Sequence, residues 1–337
     1  MLFVSNYSSL LDINNLQTQF ISNGHIIPAV DGVNIKVQPS ETVGIVGESG
    51  SGKTVTALSV MRLLPRRGAK IVSGDILFKD QSLLALSEAK MREIRGNEIA
   101  MIFQEPMTSL NPVYTVNRQL CEMIMLHRNY NKQEAQAQAL TMLKRVNIPR
   151  PEKILEEYPH QLSGGMRQRV MIAMAMSCDP SLLIADEPTT ALDVTIQAQI
   201  LDLMRELRQS QQTSILLITH DLGVVAEMCD RVYVMYAGQV VEEADIYALF
   251  ENPSHPYTQG LLRSMPKANV DLERLDSIPG NVPLPGTVKQ GCRFASRCPH
   301  TAERCLCEAP PFVELSAGQK SRCWLHAEPT RKEVHLS

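Results

Sequence analysis

Apolar positions in this chain follow three rhythms. Over residues 11–37 they alternate with polar ones and carry turn signals, and Val33, Ile35 and Val37 sit at period two. That is the pattern of an antiparallel strand with one face in the core. Residues 74–78 (GDILF) read as another such strand. Elsewhere apolar residues run together: Val43, Ile45 and Val46, then 98–104 (EIAMIFQ), 181–185 (SLLIA) and 214–219 (SILLIT). Short unbroken runs of this kind suit parallel strands buried on both faces. The third rhythm is helical. It covers Val55, Leu58, Met61 and Leu64 before Pro65, then 116–146 as two helices broken by Pro149 and Pro151, then 166–177 and 196–208. Val232, Val234 and Tyr236, the pair Ala237–Gly238, and Val240–Val241 read as a hairpin. Strands alternating with helices predict an α/β fold with a mainly parallel core sheet covered on both faces and an antiparallel β layer beside it.

One junction in this pattern carries chemistry. Residues 43–54 read VGIVGESGSGKT, a buried strand, then a loop with Gly47, Glu48, Ser49, Gly50, Ser51 and Gly52, then a helix opening on Lys53 and Thr54. Glycines let a backbone approach phosphates and turn N–H groups toward them, and the helix N-terminus adds partial positive charge. Lys53 is placed to reach terminal phosphates and the Thr54 hydroxyl to ligate Mg²⁺. A tight glycine turn alone would explain neither Lys53 nor Thr54.

Three other apolar runs end in polar groups: 98–104 in Gln104, 181–185 in Asp186 and Glu187, and 214–219 in His220. A surface glutamine or a lone strand-end histidine is usually structural. Ligands of open α/β sheets, however, bind at the carboxyl ends of the strands. Gln104, Asp186–Glu187 and His220 are therefore expected to converge with the glycine loop. Adjacent acids suit Mg²⁺ binding and polarisation of an attacking water. Ser163, Gly164, Gly165 and Met166 precede an arginine-bearing helix and form a second capped, anion-attracting terminus. One glycine loop with two such termini suggests a nucleotide shared between subunits.

The chain has 337 residues and a formal net charge of -3, so no global basic field points to nucleic acid. The N-terminal residues lack a basic start and an uninterrupted apolar core, so no signal peptide is expected. No run of about eighteen apolar residues is present, so membrane work is expected to go through partners. Of eight cysteines, Cys121, Cys178 and Cys229 lie in apolar contexts and read as buried thiols. Cys292, Cys298, Cys305, Cys307 and Cys323 crowd the tail, where proline and glycine become frequent after Met265. Without a secretory signal this crowding points to metal rather than disulfides.

Taken in order, GESGSGKT (47–54), Gln104, LSGGM (162–166), LLIADE (182–187), Ala191–Leu192–Asp193 and His220 resemble the motifs of the ATP-binding subunit of ABC transporters. These are its Walker A loop, Q-loop, signature, Walker B strand with catalytic glutamate, D-loop and switch histidine. FQEPMTSLNP (103–112), HPYTQGLL (255–262) and GCRFASRCP (291–299) are similar to its oligopeptide/dipeptide and nickel importer branch, where Met166 in place of the commoner glutamine is usual. The resemblance spans about residues 8–265, an ABC ATPase domain with a helical subdomain at about 106–178. A Cys-rich extension over 266–337 follows.

The resemblance implies that two ATPase subunits face head to tail. Each ATP then lies between the glycine loop of one and the Ser163–Met166 signature of the other. Lys53 and the loop amides hold phosphates, and Thr54, Gln104 and Asp186 organise Mg²⁺. Glu187 serves as base or water-positioner, His220 contacts the γ-phosphate, and Asp193 signals across the dimer. An adenine-stacking aromatic is expected early, and Phe20 is the candidate, with His25 near it. The implied partners are a sister ATPase subunit, two membrane permeases at the cytoplasmic face and, indirectly, an extracytoplasmic binding protein. The helices after Gln104 would dock the permeases. Some relatives of this branch hold a [4Fe-4S] cluster in the tail. Cys292, Cys298, Cys305 and Cys323 would suit it, or zinc, with Cys307 an extra thiol. The transported solute stays open between peptides, nickel and metallophores. A soluble, non-transport ABC ATPase is disfavoured by the single glycine loop and signature.

Overall fold

The computed structural model describes residues 7–22, 24–104, 109–190, 192–265, 277–316 and 318–327. Glu105, Pro106, Met107 and Thr108 of the expected proline-bounded loop, Ala191, and the Pro266 start of the tail lie outside them. The strands are β1 (Leu11–Ser22), β2 (His25–Val37), β3 (Thr42–Val46), β4 (Ala69–Phe78), β5 (Gln81–Ser82), β6 (Ile99–Ile102), β7 (Leu182–Asp186), β8 (Ser214–Thr219), β9 (Arg231–Tyr236), β10 (Gln239–Asp245), β11 (Val313–Ser316) and β12 (Gln319–Ser321). The helices are α1 (Lys53–Val60), α2 (Glu88–Ile94), α3 (Val116–Arg128), α4 (Lys132–Arg145), α5 (Pro151–Glu156), α6 (Gly164–Met176), α7 (Val194–Gln211), α8 (Leu222–Met228), α9 (Ile246–Glu251), α10 (Pro256–Arg263) and α11 (Glu303–Cys307).

The period-two stretch forms the antiparallel sheet β2-β1-β4-β5. The unbroken apolar runs form the centre of an eight-stranded sheet ordered β11-β12-β10-β9-β3-β8-β7-β6. From β9 to β6 every neighbour is parallel. Two cores explain why those runs do not alternate. Leu182, Ile184, Leu216 and Ile218 pack toward the antiparallel sheet with Leu11, Ile35 and Phe78. Leu183, Ala185, Ile215 and Leu217 pack toward the helices with Leu120, Met142, Val170 and Leu203. Both faces of each central strand are thus dry, as a parallel sheet requires.

Some boundaries differ from the sequence pattern. The first helix stops at Val60 instead of running to Leu64, because Arg62 takes a left-handed φ of 51°. The strand expected to end at Gln104 ends at Ile102, leaving Gln104 exposed two residues beyond it. The strand expected at 74–78 begins earlier, at Ala69, where the turn from α1 has already brought the chain beside β1. The tail does not stand apart from the sheet. Its strands β11 and β12 extend the large sheet, with Glu242↔Ser321 and Glu243↔Lys320 paired across β10 and β12.

Candidate active site

Parallel pairing puts the carboxyl ends of the central strands side by side, with Val46 opposite Thr219, Asp186 opposite Ile218 and Ile102 opposite Ala185. The glycine loop, His220, Asp186–Glu187 and Gln104 therefore leave the sheet along one edge. Loop residues Ser49, Gly50, Ser51 and Gly52, with Lys53, Thr54, Gln104 and Glu187, line one cavity of about 340 Å³.

The loop needs its glycines for space. A Cβ on Gly47 would run into the Met235 carbonyl oxygen, and one on Gly52 would lie 2.6 Å from the Ala29 carbonyl oxygen. Gly52 also caps α1 at φ 101° without a side-chain hydrogen bond, so the first N–H groups of that helix are left for a ligand. The Ser51 Oγ is buried and lacks a hydrogen-bond partner among the described residues. A narrow cradle ringed by unspent donors fits a phosphate chain.

Lys53 is buried and its Nζ donates to the carbonyls of Gly47 at 2.7 Å and Glu48 at 3.1 Å. Burial lowers its pKa, against the charges of Glu187, Asp186 and Glu48. Thr54 Oγ1 donates to Asp186 Oδ1 at 3.2 Å. Burial, with the Glu187 charge, pushes Asp186 up to about 6, while Thr54 and Lys53 oppose the shift. A buried carboxylate and hydroxyl side by side fit a hard divalent cation, which would hold the acid ionised.

Glu187 has a left-handed backbone, φ 49°, that turns it out of the sheet end. Its carboxylate accepts from Gln104 Nε2 at 2.9 Å and Thr190 Oγ1 at 3.0 Å, and His220 Nδ1 lies 3.2 Å away. Burial opposes its ionisation, but the hydrogen bonds from His220 and Thr190 and the charges of His220 and Lys53 outweigh burial. Its pKa is lowered. Thr190 escaped the sequence reading; its spacing of three from Glu187 was the only available signal.

Phe20 lines the same cavity, with Ile27 and Ala29, whereas His25 is exposed and does not. Pro285, from the tail, also lines it and was missed, because nothing in a proline-rich segment marks which proline meets the site. Glu48 behaves differently from its neighbours in the loop. Its carboxylate is taken by the tail's Arg297, and its backbone N–H donates to Tyr257 Oη at 2.9 Å.

The signature does not line this cavity. Ser163 caps α6, its Oγ accepting from the Met166 N–H at 3.3 Å. Ser163 and Gly164 are exposed, and Gly165 lies where a Cβ would meet Ile196. Asp193 is exposed and caps α7 by accepting from the Ile196 N–H at 2.9 Å, next to Val194, which is 84% exposed.

In the tail, Cys292, Cys298, Cys305 and Cys323 share a second cavity of about 360 Å³ with His255, His300 and Trp324, and exposed Cys307 lies off it. All eight cysteines are free; Cys121, Cys178 and Cys229 are buried, as expected. Burial, with neighbouring thiol charges, pushes Cys292 up to about 11. Among the described residues no group of three His, Cys, Asp or Glu is placed to hold a metal ion.

Fold and site together define a P-loop ATPase of the ABC type, with phosphate cradle, paired acids, glutamine and histidine on one sheet edge. Comparison with known proteins agrees. Residues 30–190 match the ABC transporter family, and residues 241–305 match the oligopeptide/dipeptide transporter C-terminal region. The oligopeptide transport ATP-binding protein AppD of Bacillus subtilis (strain 168) is 54% identical over 321 residues, covering 95% of this chain and 98% of that protein. A probable peptide ABC transporter ATP-binding protein, y4tR of Sinorhizobium fredii, is 53% identical over 316 residues, 94% of each. Among solved structures, the dimeric post-hydrolysis ATP-binding cassette MJ0796 with ADP and Pi superposes with TM-score 0.63 and 27% identity, covering 70% of this chain and 98% of that one. The cbiO1 cassette of Clostridium perfringens, part of the cbiONQ transporter complex, gives TM-score 0.61 and 27% identity over 72% and 91%. The chain belongs to the ATP-binding subunits of ABC transporters, in the oligopeptide/dipeptide branch.

Proposed function

We propose that the chain hydrolyses ATP to energise peptide import through a membrane ABC transporter. The observation that carries the chemistry is the Glu187 carboxylate, gripped by Gln104, Thr190 and His220 beside Lys53, Thr54 and Asp186. Ser51, Lys53 and the α1 N–H groups hold the phosphates, and Phe20 stacks on the base. Thr54, Gln104 and Asp186 would hold Mg²⁺, and the ion would supply charge neutralisation at the phosphates. Glu187 orients the attacking water through its fixed oxygens. Its lowered pKa makes it a weak base, so positioning and charge stabilisation carry most of the rate. His220 contacts the γ-phosphate. Glu187→Gln should cut ATP turnover at least about a hundredfold while nucleotide affinity stays within a few-fold. Turnover at the wild-type rate would remove Glu187 from its role.

The exposed Ser163–Met166 terminus, absent from its own chain's cavity, supports completion of each site by a neighbour's signature, and the MJ0796 cassette is described as dimeric. We assign this neighbour to a sister subunit, with Asp193 and Val194 at the interface. Two permeases, docked on the helices after Gln104 at the cytoplasmic face, would turn closure of the dimer into transport. A binding protein would deliver solute from outside. Relatives named for peptide import and the matched C-terminal region support peptides over nickel or metallophores.

For the tail we assign a [4Fe-4S] cluster over zinc. Four cysteines lining one cavity match in number the four thiolate ligands of such a cluster. Iron and acid-labile sulfide at about four each per chain in anaerobically purified protein is the expected result, and zinc alone would overturn it.

A further inference from the structure

Phosphate binding does not explain why Glu48, within the glycine loop, turns its carboxylate to the tail. Arg297 meets it in a bidentate pair, Nη1 to Oε2 at 2.6 Å and Nη2 to Oε1 at 3.0 Å. The guanidinium is 4% exposed, and its other hydrogens are also placed: Nε donates to the Pro279 carbonyl at 2.9 Å and Nη2 to the Ile278 carbonyl at 3.3 Å. A planar fork so fixed sets both position and orientation of the carboxylate it holds.

Every polar group of Glu48 is then accounted for. Its N–H is held by Tyr257 Oη, its carboxylate by Arg297, and its carbonyl accepts from Lys53 Nζ. Tyr257 belongs to a buried cluster in which Tyr236 and Phe294 stack against it at 4.6 and 5.4 Å between ring centroids. Phe294 lies three residues before Arg297 in the same tail segment. A second strut runs to the other limb of the loop. Arg293 donates to the Asp31 carboxylate and the Ala237 carbonyl, and the next residue, Gly238, donates its N–H to the Ser51 carbonyl at 2.9 Å. Cys292 and Cys298 bracket the two arginines.

We propose that Arg297 is a positioning residue for the phosphate loop: by fixing Glu48 it sets one of the two carbonyls that hold Lys53, and so couples the Cys292–Cys298 segment to nucleotide affinity. The proposal rests on the nucleotide-site reading above. A nucleotide that draws Lys53 onto its phosphates shifts the load on Glu48, and the bidentate pair carries that shift to the tail. Linkage makes the coupling reciprocal: whatever loosens the segment weakens nucleotide binding, and nucleotide tightens the segment.

The test uses the full chain. Titration with a fluorescent ATP analogue should give a Kd raised roughly tenfold in Arg297→Gln, within the range of site-to-site couplings, with only partial recovery in Arg297→Lys, whose ammonium keeps the charge but cannot form the bidentate fork. KM for ATP should rise by a similar factor and kcat at saturation should change little. Amide hydrogen exchange gives the reciprocal readout. In wild type, ATP should slow exchange across residues 292–298, and in Arg297→Gln this protection should be lost. A folded Arg297→Gln with wild-type Kd overturns the proposal. So does wild-type exchange over 292–298 that ignores nucleotide, which decides the matter even if the variant fails to fold. Absence of ATP binding by wild type would overturn the nucleotide-site reading itself.

Discussion

Glu187 shows how a single residue becomes special through its surroundings. A left-handed φ costs a non-glycine residue on the order of 1 kcal/mol, and here the surrounding bonds maintain it. Its N–H donates to the Ile218 carbonyl at 2.8 Å and three side chains hold its carboxylate. His255 is the counterpart away from the site. It is 1% exposed, caps α10 by accepting from the Tyr257 N–H at 3.0 Å, and burial drives its pKa down from 6.5 to about 3. The unfolded chain protonates this imidazole near 6.5 while the fold keeps it neutral. The unfolded state therefore binds more protons between about 3 and 6.5, and stability falls as pH drops through that window. The contribution is at most about 1.4 kcal/mol per pH unit. His255→Asn keeps a cap acceptor without a titrating group, so its denaturation midpoint should depend less on pH over that range than the wild type's. The same shift of urea midpoint between pH 7 and pH 5 in the variant and the wild type would show that His255 does not titrate as described.

At the scale of elements, the site is an arrangement of ends. Strands β3, β8, β7 and β6 bring the loop, His220, Asp186–Glu187 and Gln104 to one edge, and helix N-termini carry the rest. Asp193 has an observed duty as a helix cap and a proposed one across the dimer, and substitution separates them. As the cap of α7 it stabilises that helix, and aspartate and asparagine cap comparably. Asp193→Ala should lower stability by about 1 kcal/mol, and Asp193→Asn should leave it near wild type. If the carboxylate also signals across the dimer, Asp193→Asn lowers ATP turnover in the assembled transporter without changing melting. Wild-type turnover in that variant would confine Asp193 to capping. The early end of α1, which the chain's pattern misplaced, was set by one left-handed residue, Arg62, which periodicity does not register.

For the whole molecule, the tail and body meet through buried polar groups as well as through sheet pairing. Glu242 on β10 is 0% exposed and accepts from the N–H groups of Ser254 at 2.7 Å and His255 at 2.8 Å and from Gln319 Nε2 at 3.4 Å. It joins β10, the turn before α10 and β12. Glu242→Ala strands these donors, each unsatisfied one costing about 1–3 kcal/mol, so the variant should melt lower and its tail should be cut faster by protease. Unchanged cleavage within 277–327 would mean that Glu242 does not hold the tail. Next to Cys298, which lines the cysteine cavity, Arg297 pairs with Glu48 of the phosphate loop.

The fold class and the groups that meet at the sheet edge were legible in the sequence because each rests on local physics. Short unbroken apolar runs suit doubly buried strands, period two suits a half-buried one, and a glycine loop before Lys53 suits a close ligand. Gln104, Asp186, Glu187 and His220 could be joined because parallel strands share an edge where their chain ends come together. The supports were not legible. Thr190 meets Glu187, Pro285 meets the cavity beside Phe20, and Arg297 meets Glu48 across 249 positions of sequence. The last two contacts depend on how the tail folds back over the sheet, and a long-range ion pair leaves no periodicity for a sequence to display. The chain by itself determined which groups are candidates for the chemistry; the tertiary structure decided which side chains grip Glu187 and Glu48, because only packing brings residues from opposite ends of the chain within hydrogen-bond reach.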